Sequence, residues 1–378
     1  MNNFTTIKTA AKFKSLFNVI KNLSGNKHIT DFSKRVAKSE QGLLALHGMG
    51  SGKTWAGLGS IAETLKSLKG KQYGAFVMPK SVIGKTRNNI IGKGAEDALN
   101  NIDLIGLEDA AKALKKRNYK AIAFDEAHLL LDPKYRKSLS TYLNNPNIKK
   151  VFLTASPIQK SERDLNTMLS WLGHQGSKPN TKTLSELIHR YEMSGDDLKK
   201  VPVAHYKRPI VNTNKTTAAL NDILERSKGK NTYRGAVYYD GTRDVSKFIN
   251  DLKQEGFDVA NIANKNKEEL DALVNIYNDI KSGGKRIIMF GPNEAEGLSL
   301  KNTNLLQRLD IGKDPNKYFQ AGGRPLRMHA FKDSGIQGDT DIIDIITPRE
   351  LNKRDKIIRE LERRQQIYNS IPMWDKVK

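Results

Sequence analysis

Residues 47–54, His-Gly-Met-Gly-Ser-Gly-Lys-Thr, have the composition of a phosphate-binding loop. They follow an apolar run, 42–46, and precede a stretch with helical spacing. In that context small residues let backbone N–H groups curl around phosphates, Lys53 reaches the β- and γ-phosphates, and the Thr54 hydroxyl ligates Mg²⁺. His47 stands where the general pattern G-x-x-x-x-G-K-[ST] has glycine. The predicted ligands are a nucleotide and Mg²⁺, and the predicted nucleotide-binding residues are Gly48, Met49, Gly50, Ser51, Gly52, Lys53 and Thr54.

Two adjacent acids, Asp125 and Glu126, end the apolar run 121–124 and begin the sequence Asp-Glu-Ala-His. Adjacent carboxylates at the tip of a buried strand are costly unless they bind something. Asp125 can hold Mg²⁺, usually through water, and Glu126 can orient and deprotonate an attacking water. His128 has two open interpretations, a structural hydrogen-bonding residue or a residue that couples hydrolysis to motion.

A third motif, Gln320-Ala-Gly-Gly-Arg324-Pro-Leu-Arg327, supplies two arginines near the end of the chain. Phosphoryl transfer spreads negative charge over the γ-phosphate oxygens, and guanidinium forks from a neighbouring domain can stabilise that charge. The alternative is a pair of surface arginines beside a Gly-Gly turn.

The phosphate loop, Asp-Glu-Ala-His and Thr154-Ala155-Ser156, in this order, resemble a superfamily 2 helicase or translocase. Helicase-type loops tolerate residues other than glycine at the position of His47. Pro79-Lys80-Ser81 and the stretch 153–159 look most like segments of Swi/Snf-type ATPase motors, although the aromatic residue expected after Pro-Lys-Ser is missing. In the second half, residues 296–300 resemble the G-L-x-L segment, residues 310–316 resemble D-x-x-W-N-P without its Trp, and residues 320–327 fit Q-x-x-G-R-x-x-R in full.

The resemblance implies an α/β fold of two tandem RecA-like parallel-sheet domains, with the nucleotide cleft between them. It also implies that the nucleotide is ATP, bound with Mg²⁺. By resemblance Arg327 is the arginine finger, Arg324 reaches the phosphates or the acids at 125–126, and Gln320 contacts the nucleotide. Thr154, Ala155 and Ser156 are placed to couple hydrolysis to movement, together with His128.

Strands and helices must position these residues. Short apolar runs alternate with helical stretches along the chain, a pattern that is typical of a parallel sheet covered on both faces. Strands are predicted at 42–48, 74–79, 120–126 and 149–156, and again at 235–241, 285–291, 304–310 and 341–347. The predicted organisation is a basic N-terminal helix (1–30), a first domain (31–175), a connector (176–232), a second domain (233–348) and a charged C-terminal helix (349–378).

Charge points to a polyanionic partner, because 64 Lys+Arg against 41 Asp+Glu give the 378-residue chain a net charge of +23. The absence of cysteine excludes disulfides, thiolate zinc sites and a cysteine nucleophile. No signal peptide or apolar span is evident, so a soluble intracellular protein without a membrane partner is expected. The candidates for sequence-independent nucleic-acid contacts are Pro79, Lys80, Ser81, Lys85, Arg87, Thr242, Arg243, Gly297 and Ser299.

Three functions stay open. The first is an ATPase motor that translocates on DNA, with duplex DNA as the expected track, so that DNA is favoured over RNA. The second is a strand-separating DNA or RNA helicase, and the third is a catalytically quiet nucleic-acid-binding subunit. Lys53, Glu126 and Arg327 together argue against the third, and the short length suggests a viral, phage or mobile-element source.

Overall fold

The computed structural model describes residues 13–23, 26–48, 51–159, 161–176, 179–192, 203–212, 214–240, 243–279, 281–295, 298–312, 315–323, 325, 339–371 and 373. The chain divides into two units, which we call domain 1 (Met1–Met193 with Arg364–Lys378) and domain 2 (Ser194–Arg363). Each domain contains a six-stranded sheet in which every pairing is parallel. Two parallel-sheet α/β domains confirm the predicted fold class.

The sheet of domain 1 has the strand order β3-β2-β4-β5-β1-β6. Its central strands are continuous apolar runs because both faces are buried: Leu44 and Leu46 enter one core, and Leu43 and Ala45 enter the other. The strands are β1 (Gly42–His47), β2 (Tyr73–Met78), β3 (Ile102–Gly106), β4 (Tyr119–Asp125), β5 (Lys149–Thr154) and β6 (Ile188–Tyr191).

Helices cover both faces of this sheet. The α3 helix is almost entirely buried, and Gly57 and Gly59 allow it to lie close to its neighbours, since an added Cβ would come within 3.0 Å of other side chains. The helices are α1 (Lys14–Lys21), α2 (Asn26–Lys38), α3 (Lys53–Lys66), α4 (Ile83–Gly92), α5 (Ala110–Ala113), α6 (Pro133–Ser138), α7 (Ser140–Leu143), α8 (Glu162–Ser170) and α9 (Thr181–Leu187).

Within residues 1–30, where a basic N-terminal helix is predicted, the structure has the helix Lys14–Lys21, and residues 1–12 lie outside the described residues. The apolar stripe of this helix, Phe13, Leu16 and Ile20, is buried in the core that also contains residues of α2 and α3. The helix therefore uses its apolar face for packing on domain 1. No helix among the described residues is long and apolar enough to cross a membrane.

Domain 2 has the strand order β7-β12-β11-β8-β10-β9, again with an apolar core on each face. Its strands are β7 (Val203–Lys207), β8 (Thr232–Tyr238), β9 (Asp258–Asn261), β10 (Gly284–Phe290), β11 (Leu305–Arg308) and β12 (Asp339–Asp344). Its helices are α10 (Lys215–Ser227), α11 (Ser246–Gln254), α12 (Lys267–Asn278), α13 (Pro315–Gly322) and α14 (Pro348–Asn369), the last of which extends into domain 1.

The segment predicted as a connector, 176–232, is largely structured. It contains α9 and β6 of domain 1, then β7 and α10 of domain 2, and the two units meet in sequence at Met193 and Ser194. Residues 184–191 are the end of α9 followed by β6. Leu184 and Leu187 pack against the same core as Ile188, so tertiary contacts explain why this polar-looking stretch is ordered.

The end of the chain completes the core of domain 1. Tyr368 and Ile371 are buried in it, and the Tyr368 hydroxyl donates to the Leu46 carbonyl at 3.3 Å. Arg190 of β6 donates to the Ile371 carbonyl at 2.6 Å and lies over the Tyr368 ring at 4.4 Å. Residues near the C-terminus thus contact the strand that leads into the phosphate loop.

Gly42 should be indispensable at the start of β1. Its φ is +121°, and a Cβ placed there would lie 1.6 Å from the Lys150 carbonyl oxygen. We expect Gly42→Ala to lower the free energy of unfolding by at least about 3 kcal/mol, because a left-handed backbone and a backbone clash add together. Gly94→Ala is the control: φ there is +74° with no other atom within 4 Å, and the expected loss is about 1 kcal/mol. Equal losses in urea unfolding would contradict this account.

Candidate active site

Three predicted motifs lie at one edge of the domain 1 sheet. The strands β4, β5 and β1 are adjacent and parallel, so their carboxyl ends meet at the same edge. These ends are Asp125, Thr154 and His47, and each is the first residue of a predicted motif. Ligands of open parallel sheets bind at this edge, outside the carboxyl ends of the strands.

The phosphate loop connects β1 to α3. Gly52 has φ +82°, a left-handed conformation that glycine adopts freely, and the next residue, Lys53, begins the 14-residue α3. Ser51 Oγ donates to the Gly48 carbonyl at 2.6 Å. A helix N-terminus after a glycine turn presents unsatisfied N–H groups to an anion. Met49 and Gly50 lie outside the described residues.

The ammonium group of Lys53 is folded back onto its own loop. Its Nζ donates to the carbonyl oxygens of His47 and Gly48, at 3.2 Å each. It also acts electrostatically on Asp125, whose pKa it lowers against larger opposing effects. Lys53 is therefore held between the loop and the acidic pair, where a phosphate group could replace the carbonyl oxygens. Thr54 follows it in the first turn of α3 and is half-buried.

The two acids differ in environment. Burial, and then the neighbouring charge of Glu126, raise the pKa of Asp125, which indicates a carboxylate that gains from a nearby cation. Glu126 is less buried, with 39% of its side chain exposed, and its backbone N–H donates to Asp125 Oδ1 at 3.1 Å. Its φ of 48° and ψ of 48° place a non-glycine residue in the left-handed region. Strained backbone of this kind occurs preferentially at functional sites.

Hydrogen bonds connect the acidic motif to the end of β5. The ring nitrogen Nδ1 of buried His128 lies 3.0 Å from Thr154 Oγ1 and 3.5 Å from Glu126 Oε2. Thr154 Oγ1 also accepts from the Ser156 backbone N–H at 3.0 Å. These contacts thus link Glu126, His128, Thr154 and Ser156. Ala155, between the last two, is half-buried.

A histidine cluster beneath the loop was not predicted from the sequence. His47 Nε2 and His189 Nδ1 are 2.9 Å apart, and both side chains are fully buried. His28 Nε2 lies 2.9 Å from the Ser51 carbonyl oxygen, and its ring stacks on Tyr191 at 3.5 Å. The cluster gives a structural reason for histidine at position 47, where its ring packs against α2 and β6 beneath the loop. The sequence signal was weak, because the three histidines come from segments far apart in the chain.

Domain 2 contains a charged cluster at the carboxyl edge of its own sheet. Arg243 makes a bidentate ion pair with Asp310, at 2.5 and 3.2 Å, and the Asp240 N–H donates to the same carboxylate at 3.3 Å. Asp310 begins the stretch predicted from the resemblance, and Arg243 was a predicted nucleic-acid contact. Its guanidinium is paired with Asp310 in this structure, and its contact with nucleic acid stays a prediction.

A second cluster holds the helix that precedes the arginine motif. Asp344, buried at the end of β12, accepts from Arg308 Nε at 2.6 Å, from the Tyr318 hydroxyl, and from Arg354 Nε at 2.9 Å. Tyr318 belongs to α13 and Arg354 to α14. One carboxylate therefore ties both helices to the sheet. Arg324 and Arg327, with the Gln320 side chain, lie outside what the structure describes.

The predicted nucleic-acid residues of domain 1 are mostly on the surface. All five of these residues follow the carboxyl end of β2. Pro79 is half-buried, and the exposed ones are Lys80, Ser81, Lys85 and Arg87. Lys80 is 3.0 Å from Asp109, a hydrogen-bonded pairing that raises the pKa of the lysine. In domain 2, the Ser299 carbonyl accepts from Asn278 Nδ2 at 3.0 Å. Thr242 and Gly297 lie outside the described residues.

Comparison with known proteins gives matches only among solved structures, since no family model and no curated protein matches the chain. Mss116p bound to single-stranded RNA and AMP-PNP is similar with a TM-score of 0.62 and 14% identity, over 93% of this chain and 74% of that one. Dbp5 from S. cerevisiae, bound to RNA and ADP BeF3, has a TM-score of 0.58 and 15% identity, over 96% and 97% of the two chains. A DEAD box protein from Methanococcus jannaschii has a TM-score of 0.50 and 16% identity, over 92% and 94%. The chain therefore has the tandem RecA-like fold of these helicases.

The buried histidines should make domain 1 sensitive to acid. Burial lowers the pKa of His189 to about 3, and burial with the neighbouring histidines lowers the pKa of His47 well below its usual value. Below pH about 6.5 the unfolded chain binds protons that the folded histidines do not, so stability is lost as the pH falls.

We expect unfolding free energy measured in urea to fall by about 2 kcal/mol per buried histidine between pH 7 and pH 5. His189→Gln should remove one such contribution and flatten the pH dependence, whatever its effect at pH 7. The control is His205→Gln at an exposed site in domain 2. An unchanged slope in His189→Gln would show that this histidine is not the source.

Proposed function

We propose that the protein is a nucleic-acid-dependent ATPase with a helicase-type motor core. The observation that carries this proposal is the convergence of Lys53, the Asp125–Glu126 pair and Thr154 at the carboxyl edge of one sheet. A phosphate-binding lysine and an acidic pair within electrostatic reach of each other are the parts that phosphoryl transfer requires. The fold shared with helicases supports the same function.

The residues present fit ATP with Mg²⁺. Thr54 supplies a hydroxyl and Asp125 a half-buried carboxylate. Magnesium in proteins takes one or two such ligands together with phosphate oxygens and water. The raised pKa of Asp125 indicates a carboxylate that a cation would stabilise. When bound, Mg²⁺ would neutralise charge on the phosphates. We propose that Lys53 leaves the carbonyls of His47 and Gly48 to contact the β- and γ-phosphates.

Glu126 is the proposed general base. Its carboxylate is partly exposed and next to His128, and the left-handed backbone aims the side chain away from the direction that a strand would continue. A base in that position can accept a proton from a water that attacks the γ-phosphate. We propose that the link from Glu126 through His128 to Thr154 and Ser156 transmits the state of the nucleotide to the segment after β5, which is the coupling role predicted from the sequence.

We propose RNA as the polymer and strand separation as the activity. Structures similar over most of the chain carry RNA, and single-stranded RNA in the case of Mss116p, together with ATP analogues. This favours the helicase alternative over the translocation on duplex DNA that the sequence first suggested. DNA translocation is the second candidate, supported by the Swi/Snf-like segment Pro79–Ser81, which follows β2 on the surface.

Substitution of the acid and the lysine should separate hydrolysis from binding. We expect Glu126→Gln to reduce ATP turnover at least about 100-fold while retaining nucleotide binding, because only proton transfer is removed. Lys53→Ala should weaken both binding and turnover. The matched controls are Glu186→Gln on α9 and Lys66→Ala at the far end of α3, both partly or fully exposed. Undiminished hydrolysis in both site variants would contradict the assignment.

Polymer dependence should identify the substrate. We expect ATPase activity to rise with single-stranded RNA and less with duplex DNA, and a duplex with an RNA overhang to be separated only in the presence of ATP. The measurement is steady-state phosphate release with each polymer at equal nucleotide concentration. Greater stimulation by duplex DNA, together with triplex displacement, would favour translocation. A flat response to all polymers would reject the motor.

A further inference from the structure

A basic groove runs along α14 in domain 2. Its volume is about 560 Å³, and its lining consists mainly of charged side chains of α14 together with Gly312 and Ile357. The basic side chains recur every three or four residues, which places them on one side of the helix. They are Lys353, Lys356, Arg359 and Arg363.

Most of this positive charge is uncompensated. Glu360 is the acid in the lining, and it is bonded to Arg363 at 2.9 and 3.1 Å. Lys353, Lys356 and Arg359 are exposed and form no salt bridge with any residue that the structure describes. On another side of α14, Arg354 is paired with the buried Asp344. The helix therefore has a paired arginine on its inner side and unpaired cations on its outer side.

The groove lies at the functional edge of the domain 2 sheet. Gly312 follows the carboxyl end of β11, two residues after Asp310, and α14 begins shortly after the carboxyl end of β12. The strands β11 and β12 are adjacent and parallel. Arg243, predicted as a nucleic-acid contact, follows the carboxyl end of β8 at the same edge. The anchored Arg354 fixes the rotation of α14 about its axis, so the free cations face a defined direction.

We propose that this groove binds the phosphodiester backbone of an RNA strand, a contact outside all the helicase-like motifs of the sequence. The inference rests on the proposed function. Three free cations match a chain of phosphates, whereas Gly312, Ile357 and the aliphatic stems offer no aromatic surface for base stacking. The groove therefore contributes affinity without sequence preference.

The test is the triple variant Lys353→Ala, Lys356→Ala and Arg359→Ala in the full chain, with a fluorescent single-stranded oligo-U RNA as the probe. The matched control removes three exposed lysines from other helices of domain 2, Lys247, Lys253 and Lys267, so that the net charge changes equally. Affinity is measured over a salt series, and thermal unfolding checks that each variant is folded. Single variants Lys356→Ala and Arg359→Gln serve if the triple variant does not fold.

The groove variant should bind RNA roughly tenfold or more weakly near 0.1 M salt, and the slope of log K against log salt should fall by about 2, because each lost phosphate contact removes about 0.7. RNA-stimulated ATPase should need more RNA to reach the same plateau, and basal turnover should not change. The control variant should lose less affinity and keep more of the slope.

Equal affinity and slope in the groove and control variants would overturn the proposal while leaving the motor function intact. Wild-type protein that neither binds RNA nor responds to it in the ATPase assay would overturn both. Binding of duplex DNA, but not RNA, with the same dependence on the three side chains would reject RNA as the occupant.

Discussion

The parallel pairing of β5 with β1 on one side and β4 on the other is the constraint on which the candidate active site depends. Its register places Leu46 opposite Thr154 and Asp125 opposite Leu153, so the three motif-bearing ends stop at nearly the same level. Both faces of these strands are buried, and a slip by one residue would exchange the two cores. Gly42 permits this register, because any side chain there would strike the backbone of β5. Packing of apolar side chains therefore sets the distances on which the phosphate chemistry relies.

Buried charge in domain 2 is matched locally. Arg234 is fully buried and donates to carbonyl oxygens of Tyr233, Tyr277, Asp279, Gly283 and Gly284, without a carboxylate partner among the described residues. In contrast, Asp344 collects three donors from separate elements. Leaving such a group without its partners in a buried environment would cost several kcal/mol. Asp125 of domain 1 is the exception, since burial and Glu126 both oppose its charge. Among the described residues its carboxylate accepts a hydrogen bond only from the Glu126 N–H, and such a carboxylate is suited to an added cation.

Sequence patterns predicted the long apolar strands and the motifs at their ends, because continuous burial and phosphate chemistry each leave a local signature. They missed β3, β6, β7 and β9, which are short strands or contain polar residues. Such segments become strands only by pairing with neighbouring strands. The same reason explains the connector, where β6 and β7 follow segments that look like loops. The histidine cluster was missed because its members come together only in three dimensions. The pairing of Arg243 with Asp310 was not predicted either, because a surface-type residue in a loop gives no sign of its partner.

The contribution of Tyr368 and Ile371 to domain 1 makes that domain discontinuous in sequence. During synthesis the ribosome releases the phosphate loop and the acidic motif long before it adds these residues. Domain 1 must therefore wait, with a gap in its core beside β1, until domain 2 has been translated. The core around the strand that carries the phosphate loop is thus completed last, and premature termination anywhere in α14 would damage a strand near the other end of the chain.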